Sequence, residues 1–298
     1  MKKTLIVIAG PTAVGKTKLS IELAQKLNCA IISCDSRQFY VGLNIGTAKP
    51  TKEEQAQAPH YFIDSKKIQE EYTAGMFENE ALEKIQTLFQ KDNQVIMVGG
   101  STLYIDAITK GFDDLPKDLE VRKKLIHETD KKGLDSLLFE LQTKDPEYFA
   151  EVDRSNAVRV QRALEVIRIS GKKYSELRKG SQKSREFELL KIVLNDERAA
   201  LYSRINHRVD QMVLDGLEEE ARSFYPFKGL SALKTVGYQE FFDYFDAKIS
   251  KEEAIELIKR NSRRYAKRQL TWFRRDPDYH WFGPDQFLEI FELIQSQI

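Results

Sequence analysis

A glycine-rich loop near the start of the chain is the most specific chemical signal in the sequence. Residues 10–17 read Gly-Pro-Thr-Ala-Val-Gly-Lys-Thr and fit the pattern G-x-x-x-x-G-K-[ST]. Such a loop turns its backbone N–H groups around an anion, and the helix that follows adds the positive end of its dipole. Lys16 is expected to reach the terminal phosphate, and the Thr17 hydroxyl is expected to bind Mg²⁺. The sequence therefore predicts a phosphate or diphosphate site formed by Gly10, Pro11, Thr12, Ala13, Val14, Gly15, Lys16 and Thr17.

The loop pattern does not specify which phosphate compound binds, and ATP and GTP are its usual ligands. A GTPase should carry an Asn-Lys-x-Asp segment that recognises the base, and the sequence contains none. A nucleotide-hydrolysing motor should have an apolar strand that ends in two neighbouring acids, whereas Asp35 and Asp64 end short strands without a second acid. A small-molecule kinase stays open at this point.

Asp35 is the carboxylate best placed to act as a general base beside this loop. It belongs to Ser33-Cys-Asp-Ser-Arg-Gln38, at the end of the second predicted strand. Ligands of open α/β sheets bind at the carboxyl ends of the strands, where Asp35 could accept a proton from a substrate. An Asp-Ser pair is equally suited to capping a turn, so both roles stay open. A second turn, Val98-Gly-Gly-Ser-Thr-Leu-Tyr104, offers N–H groups and a hydroxyl to the same edge.

The elements that must position these residues alternate between strand and helix in the first third of the chain. Strands are predicted at Leu5–Ala9, Ala30–Ser33 and Gln94–Val98, and helices at Lys16–Leu27 and Thr73–Phe89. Runs that are apolar on both faces are typical of buried parallel strands. The expected fold class is α/β, a P-loop parallel sheet flanked by helices, with a helical insertion domain.

The middle of the chain has a different pattern from the first third. No strand is predicted from 119 to 177, where helices are expected at Val121–Glu128, Leu134–Gln142 and Ala157–Ile169. A strand returns at Leu189–Leu194, and only helices are predicted after it, at Glu197–Leu214, Glu218–Phe224, Val236–Phe245 and Lys251–Phe273. We therefore predict a core in two parts, 1–118 and 187–298, interrupted by a helical insertion at 119–186.

Composition excludes several classes of protein. The chain has 298 residues, of which 41% are hydrophobic and 31% charged, which suits a folded protein and not a disordered one. Its apolar runs are far shorter than the roughly 18 residues that span a bilayer, so no membrane partner is expected. Only two cysteines occur, which favours a reducing, cytoplasmic location. The four histidines have no Cys or His at ligand spacing, so zinc is not expected.

Charge is unevenly distributed although the net charge is only +1. The first basic stretch, residues 154–185, carries ten Lys or Arg against two Glu. The second basic stretch, residues 259–275, carries eight basic residues and no acid. Such stretches are often solvated helix faces. They also suit a polyanion surface, because clustered Lys and Arg bind phosphate backbones by releasing counterions.

A series of segments together resembles the tRNA dimethylallyltransferases, the tRNA isopentenyltransferase family. The segments are the phosphate loop, Asp35–Gln38, Gly42–Pro50, Val98–Tyr104, Arg162–Val166 with Gly171-Lys172, Val236–Glu240 and Ala266–Trp272. The resemblance implies transfer of a dimethylallyl group from dimethylallyl diphosphate to N6 of adenosine 37, beside the anticodon, in tRNAs that read codons beginning with U. The phosphate loop would then hold the diphosphate of the prenyl donor instead of ATP.

The resemblance also implies roles for individual residues. Lys16, Thr17 and Mg²⁺ would stabilise charge on the departing pyrophosphate, and Asp35 would accept the N6 proton. Ser101 would hydrogen-bond near the target base or the donor, and Arg208 would lie at the diphosphate end. The residues implied to contact tRNA, including its anticodon stem-loop, are Asp35, Ser36, Arg37, Gln38, Ser101, Lys123, Arg159, Val160, Gln161, Arg162 and Ala163. The family suggests a monomer.

The sequence departs from the resembling family in one turn. The family usually has Gly-Gly-Thr-Gly-Leu-Tyr, whereas this chain has Ser101 and Thr102 at the third and fourth positions. Serine keeps the hydroxyl, while a threonine disfavours the positive φ that a glycine allows.

Three other interpretations compete with tRNA prenylation. A P-loop small-molecule kinase leaves both basic stretches without a purpose. A prenyltransferase acting on free AMP needs neither the insertion nor the second basic stretch. An RNA-binding module that uses a nucleotide as a switch would not depend on Asp35.

Overall fold

The computed structural model describes residues 2–180 and 183–298, which form two compact units. The core unit comprises Met1–Thr109 and Ser184–Ile298, and the insertion unit comprises Lys110–Lys183. The insertion predicted at 119–186 overlaps the insertion unit, which also includes residues 110–118.

A parallel sheet forms the centre of the core unit. Its strands are β1 (Thr4–Ala9), β2 (Ile31–Ser33), β3 (His60–Tyr61), β4 (Gln94–Gly99), β5 (Glu188–Leu194) and β6 (His280–Phe282). Their order across the sheet is β3-β2-β4-β1-β5-β6, and each pairing is parallel. Ala9 lies opposite Gly99 in the β1–β4 register, so the loops that follow these strands leave the sheet side by side.

Helices account for most of the remaining described chain. In the core unit they are α1 (Lys16–Leu27), α2 (Lys52–Gln55), α3 (Ala74–Leu88) and α4 (Thr102–Thr109) before the insertion. The insertion unit contains α5 (Leu119–Lys132), α6 (Leu134–Lys144), α7 (Pro146–Glu151), α8 (Ala157–Ser170) and α9 (Tyr174–Leu177). The core unit continues with α10 (Arg198–Leu214), α11 (Leu217–Phe224), α12 (Tyr238–Phe245), α13 (Lys251–Phe273) and α14 (Phe287–Gln297).

Strand β1 is buried on both faces because its alternate side chains enter two different hydrophobic clusters. Leu5 and Val7 pack in a cluster that includes side chains of α3, α4 and α12. Ile6 and Ile8 pack in the other, with side chains of α1, α10 and α14. Burying each such aliphatic side chain contributes roughly 1.5–3 kcal/mol. The carboxyl end of β1, where the phosphate loop begins, is therefore anchored in the most buried part of the core unit.

The insertion unit has a hydrophobic core of its own. Leu125, Leu141 and Leu164, from α5, α6 and α8, are all fully buried there. Asp145 is also fully buried and caps α7 by accepting the Tyr148 N–H at 3.0 Å. The unit is inserted between two strands of the sheet, and a unit of this kind needs a separate core.

The predicted fold class is confirmed, and all four predicted strands are observed. The prediction of only helices after residue 194 is wrong, because β6 extends the sheet beside β5. A short strand was expected before Asp64 without stated bounds, and β3 lies there at His60–Tyr61. Both lie at the edges of the sheet and are only two or three residues long, too short for an alternating pattern.

Among the described residues, the structure contains no helix that is both long and apolar enough to span a membrane.

Candidate active site

The phosphate loop joins β1 to α1 at the carboxyl edge of the sheet. Gly10 has a φ of 149°, and a Cβ at this position would lie 2.6 Å from the Leu194 carbonyl oxygen on β5. Glycine alone fits such a close approach. Ala13 has a φ of 63°, in the left-handed region, and turns the chain back toward α1. The loop ends at the N-terminus of α1, whose unpaired N–H groups and dipole favour an anion.

Several basic side chains line the cavity over this loop, and Lys16 and Arg208 are two of them. Lys16 Nζ donates a hydrogen bond of 2.6 Å to the Pro11 carbonyl oxygen. Burial, and then the nearby Arg208 guanidinium, lowers the pKa of Lys16 to about 7, although Asp35 acts in the opposite direction. Burial also lowers the pKa of Arg208, opposed by Asp35 and Glu54. Two desolvated cations beside the loop amides form a site that a bound diphosphate would stabilise.

Asp35 lies just beyond the carboxyl end of β2 and lines the cavity over the loop. Its Oδ1 accepts the Arg37 N–H at 2.9 Å, which closes the turn after the strand. The turn-capping role and the position beside a ligand cavity, which were alternatives in the sequence, occur together. A carboxylate has several acceptor positions, so holding the turn is compatible with accepting a substrate proton.

Two cavities meet at this edge of the sheet. The phosphate chamber, of about 530 Å³, lies over the phosphate loop. The second chamber, of about 380 Å³, is lined in part by the apolar side chains of Ile205, Val209 and Met212. The residues that line both chambers are Thr12, Ala13, Asp35, Thr47, Ala48, Arg208 and Tyr265. Asp35 and Arg208 therefore lie where the two chambers join.

Ser101 supports the turn that carries Asp35. Its Oγ accepts the Ser36 N–H at 3.0 Å and lies 3.2 Å from the Ser36 hydroxyl, to which it donates. Ser101 itself is 7% exposed. Thr102 is the first residue of α4 and is not among the residues with positive φ, so threonine fits here without backbone strain.

Arg37 and Gln38 make hydrogen bonds with neighbouring backbone groups. Arg37 Nη1 donates to the Ser231 carbonyl oxygen at 3.0 Å. Gln38 Nε2 donates to the carbonyl oxygens of Thr47 and Ala48, both at 3.2 Å. Arg37 Nη2 also donates to the carbonyl oxygen of Lys234, at 3.3 Å, so both side chains bond to segments that line a chamber.

The donor groups around the phosphate chamber fit Mg²⁺ that is bound together with a diphosphate. The Thr17 hydroxyl and the Asp35 carboxylate both line this chamber. Mg²⁺ usually takes one or two protein ligands and completes its shell with water and phosphate oxygens. No group of three or more His, Cys, Asp or Glu side chains that could hold a metal ion occurs among the described residues. A metal in this chamber would therefore depend on phosphate oxygens.

The residues that the sequence assigned to tRNA in the insertion unit differ in accessibility. Arg159 on α8 is exposed, whereas Val160 and Ala163 are fully buried in the core of the unit. These two side chains stabilise the helix that carries Arg159. Lys123 on α5 is exposed and pairs with Glu120 at 2.8 Å.

Arg162 and Gln161 make contacts within the insertion unit. Arg162 Nη1 lies 2.8 Å from the Glu165 carboxylate and donates to the Pro116 carbonyl oxygen at 2.9 Å. Gln161 Nε2 donates to the Thr129 hydroxyl at 2.8 Å. Arg162 consequently has a structural role in this unit, which is separate from any contact that it makes with tRNA.

Two residues of α13, Tyr265 and Gln269, lie in the site and were not singled out from the sequence. Tyr265 lines both chambers, and burial, followed by the charge of Asp35, raises its pKa to about 12. Gln269 lines the phosphate chamber. The available signal was the segment Ala266–Trp272, which resembles the family and contains Gln269.

Sequence comparison links the chain to proteins of known activity. A family model described as IPP transferase matches residues 38–276. The tRNA dimethylallyltransferase 1 of Bacteroides fragilis is 48% identical, over 99% of this chain and 99% of its own length. The tRNA dimethylallyltransferase of Cytophaga hutchinsonii is 47% identical, over 100% of this chain and 98% of its own.

Solved structures with the same fold agree with the sequence comparison. A tRNA isopentenylpyrophosphate transferase from Bacillus halodurans has a TM-score of 0.73 and 39% identity, with coverage of 99% of this chain and 96% of its own. A eukaryotic dimethylallyltransferase acting on tRNA has a TM-score of 0.82 and 28% identity, with coverage of 99% and 78%. None of these relatives supports the kinase interpretation. The chain belongs to the tRNA dimethylallyltransferase family, the tRNA isopentenyltransferases.

Proposed function

We propose that this enzyme transfers a dimethylallyl group from dimethylallyl diphosphate to N6 of adenosine 37 in tRNAs that read codons beginning with U. The observation that carries the proposal is the junction of the two chambers, where Asp35 and Arg208 line both cavities and Lys16 lines one. The two cations suit a diphosphate, and the carboxylate suits the amine that attacks the donor. The products are N6-dimethylallyladenosine in tRNA and diphosphate.

The phosphate chamber is proposed to hold the diphosphate of the donor. The loop amides and the N-terminus of α1 favour its negative charge, and so do Lys16 and Arg208. Thr17, together with diphosphate oxygens, would hold Mg²⁺, which when bound supplies positive charge to the departing group.

In the proposed step, N6 attacks C1 of the dimethylallyl group. The bond between C1 and the bridging oxygen breaks, and its electron pair leaves with the diphosphate. Asp35 accepts the proton that N6 loses. Lys16 and Arg208 stabilise the charge that develops on the leaving oxygens, in a chamber where burial strengthens their effect.

The acceptor base has to leave its stack in the anticodon loop before N6 can reach Asp35. The insertion unit is proposed to bind the anticodon stem-loop, because the first basic stretch carries ten basic residues against two acidic ones. Its exposed Arg159 and Lys123 are the candidate phosphate contacts. Side chains of a single chain line both chambers, so we propose that a monomer is active, with tRNA in the cytoplasm as its substrate.

Radiolabelled dimethylallyl diphosphate, Mg²⁺ and unmodified tRNA test the proposal directly. Label should appear in tRNA and, after digestion, in N6-dimethylallyladenosine. A tRNA with guanosine at position 37 is the matched control and should stay unlabelled. Label in added AMP but not in tRNA would contradict the choice of acceptor, and ATP consumption in step with turnover would contradict the choice of donor.

A further inference from the structure

Gln269 joins the two loops that follow β1 and β4. Its Oε1 accepts the Thr12 N–H at 3.1 Å, and its Nε2 donates to the Gly100 carbonyl oxygen at 2.8 Å. The residue is 3% exposed. A backbone N–H can only donate and a carbonyl can only accept, so one orientation of the side-chain amide satisfies both partners. No smaller or differently charged side chain would make the same pair of contacts.

The turn after β4 is fitted closely around this amide. A Cβ on Gly100 would lie 2.2 Å from Gln269 Nε2 and 3.3 Å from the Gly10 carbonyl oxygen. The glycine therefore makes room for Gln269, and the amide fills the space between the two loops.

The helix that supplies Gln269 is itself anchored to the core unit. Trp272 Nε1 on the same helix donates to Asp106 Oδ2 on α4 at 3.0 Å. Tyr265 lies one turn before Gln269 and lines both chambers. The Trp272 bond therefore helps to hold the part of α13 that carries Gln269 against the core unit.

We propose that Gln269 is a positioning residue that holds the phosphate loop in the conformation that binds the prenyl diphosphate. The inference rests on the proposed function, since it assigns the loop to that donor. The loop amides can act together only if they point at one centre. The positive φ values of Gly10, Ala13 and Gly15 keep this segment out of a regular helix or strand. The Gln269 bond to the Thr12 N–H limits the conformations that the loop can adopt, so less ordering is needed on binding. The second basic stretch thus contributes a neutral side chain to donor binding.

Replacing Gln269 with leucine tests this role, because leucine has a similar size but pairs with neither Thr12 nor Gly100. We expect the KM for dimethylallyl diphosphate to rise about 10- to 100-fold, because misplaced binding groups weaken binding by such a factor. The affinity for tRNA should be unchanged and kcat should fall less than the donor KM rises. Thr271→Val is the matched control on the same helix: it removes an exposed hydroxyl that donates to the Lys267 carbonyl oxygen at 2.9 Å, and because Thr271 lines neither chamber the donor KM should stay unchanged.

Gln269→Glu provides a readout that a merely structural role would not produce. The ionised carboxylate accepts from the Thr12 N–H but repels the Gly100 carbonyl oxygen, whereas the protonated acid donates to it and reproduces the amide. Burial favours the protonated form as pH falls. The ratio of donor KM between variant and wild type should therefore decrease toward one as the pH is lowered.

The possible outcomes separate the two proposals. If the ratio of donor KM between Gln269→Glu and wild type does not change with pH, the positioning role is overturned. This test does not depend on whether Gln269→Leu folds. If the wild-type protein prenylates tRNA but the folded variants keep an unchanged donor KM, the positioning role is overturned and the proposed function stands. Failure of the wild-type protein to prenylate tRNA would instead overturn the proposed function.

Discussion

The Tyr238 hydroxyl donates a hydrogen bond of 2.6 Å to the Glu220 carboxylate. The same carboxylate accepts the N–H groups of Asn44, Ile45 and Gly46, at 3.0, 2.9 and 2.9 Å. Burial beside Glu220 raises the pKa of Tyr238 well above its ordinary value, so the phenol remains a donor. One acidic side chain from α11 therefore fixes a segment that lines the chambers.

Replacing Glu220 with glutamine should lower the free energy of unfolding by about 1–3 kcal/mol, because an amide nitrogen would face backbone donors. Urea denaturation monitored by circular dichroism measures the change. Glu219→Gln is the matched control, since its side chain is exposed and the substitution should cost less than about 0.5 kcal/mol. Equal destabilisation by the two variants would contradict the role given to Glu220.

Asp35→Asn should lower kcat by about 10²- to 10⁴-fold, because the amide keeps the shape but cannot accept the N6 proton. The asparagine oxygen can still accept the Arg37 N–H, so the turn and the tRNA affinity should be preserved. Single-turnover kinetics with saturating donor and tRNA measure the chemical step. Near-normal turnover would exclude Asp35 as the general base.

The lowered pKa of Lys16 predicts that donor binding takes up a proton. With a pKa of about 7 in the unliganded enzyme, the amine is mostly neutral above that pH, and a bound diphosphate raises its pKa. Affinity for dimethylallyl diphosphate should therefore decrease as pH rises through 7 toward the pKa of the complex. Calorimetry at about pH 8, in buffers of different ionisation enthalpy, measures the uptake.

Two lysine variants control this measurement. Lys16→Met should weaken donor binding and abolish the part of the proton uptake that belongs to Lys16. Lys26→Met removes an exposed lysine in the last turn of the same helix, away from both chambers, and should change neither quantity. If proton uptake persists in Lys16→Met, a group other than Lys16 takes up the proton.

Arg159→Ala should weaken tRNA binding and reduce the slope of log K against log salt by about 0.7–0.9, the value for one phosphate contact. The donor KM and the thermal stability should stay unchanged because the side chain is exposed. Lys91→Ala is the control, since it removes an exposed positive charge just before β4, at the amino end of the strand. An unchanged salt slope in Arg159→Ala would make the second basic stretch the candidate for the phosphate contacts.

Arg162→Ala is expected to behave differently from Arg159→Ala. It removes the partner of the buried Glu165, which keeps a second ion pair with Arg122 at 3.1 Å. Thermal stability should therefore fall together with tRNA affinity, and circular dichroism must accompany the binding measurement. Loss of tRNA affinity without loss of stability would show a direct contact.

The central strands and the phosphate loop were predictable because their signals are local. Strand β1 is apolar from Leu5 to Ala9 since both of its faces are buried, and the glycine pattern that follows it has few alternatives. The turn after β2 was predictable for the same reason, since its position depends only on the strand before it. These features needed no knowledge of distant contacts.

The remaining parts of the site depend on contacts between residues far apart in the chain. The Gln269 side chain meets Thr12 across 257 positions, and no periodicity in α13 distinguishes it from its charged neighbours. The burial of Val160 and Ala163 could not be read from the family resemblance, because a motif on a helix includes residues that face the core as well as exposed ones. The edge strand β6 was missed since pairing with β5, and not its own pattern, makes it a strand.

The distance in sequence between Thr12 and Gln269 has a consequence for the order in which the protein is made. Translation produces Thr12 257 positions before Gln269, the α13 residue that contacts it. A nascent chain on the ribosome therefore displays the loop long before the contact with Gln269 can form. With the positioning role proposed for Gln269, full donor affinity is expected only after α13 has been synthesised and packed against the core unit.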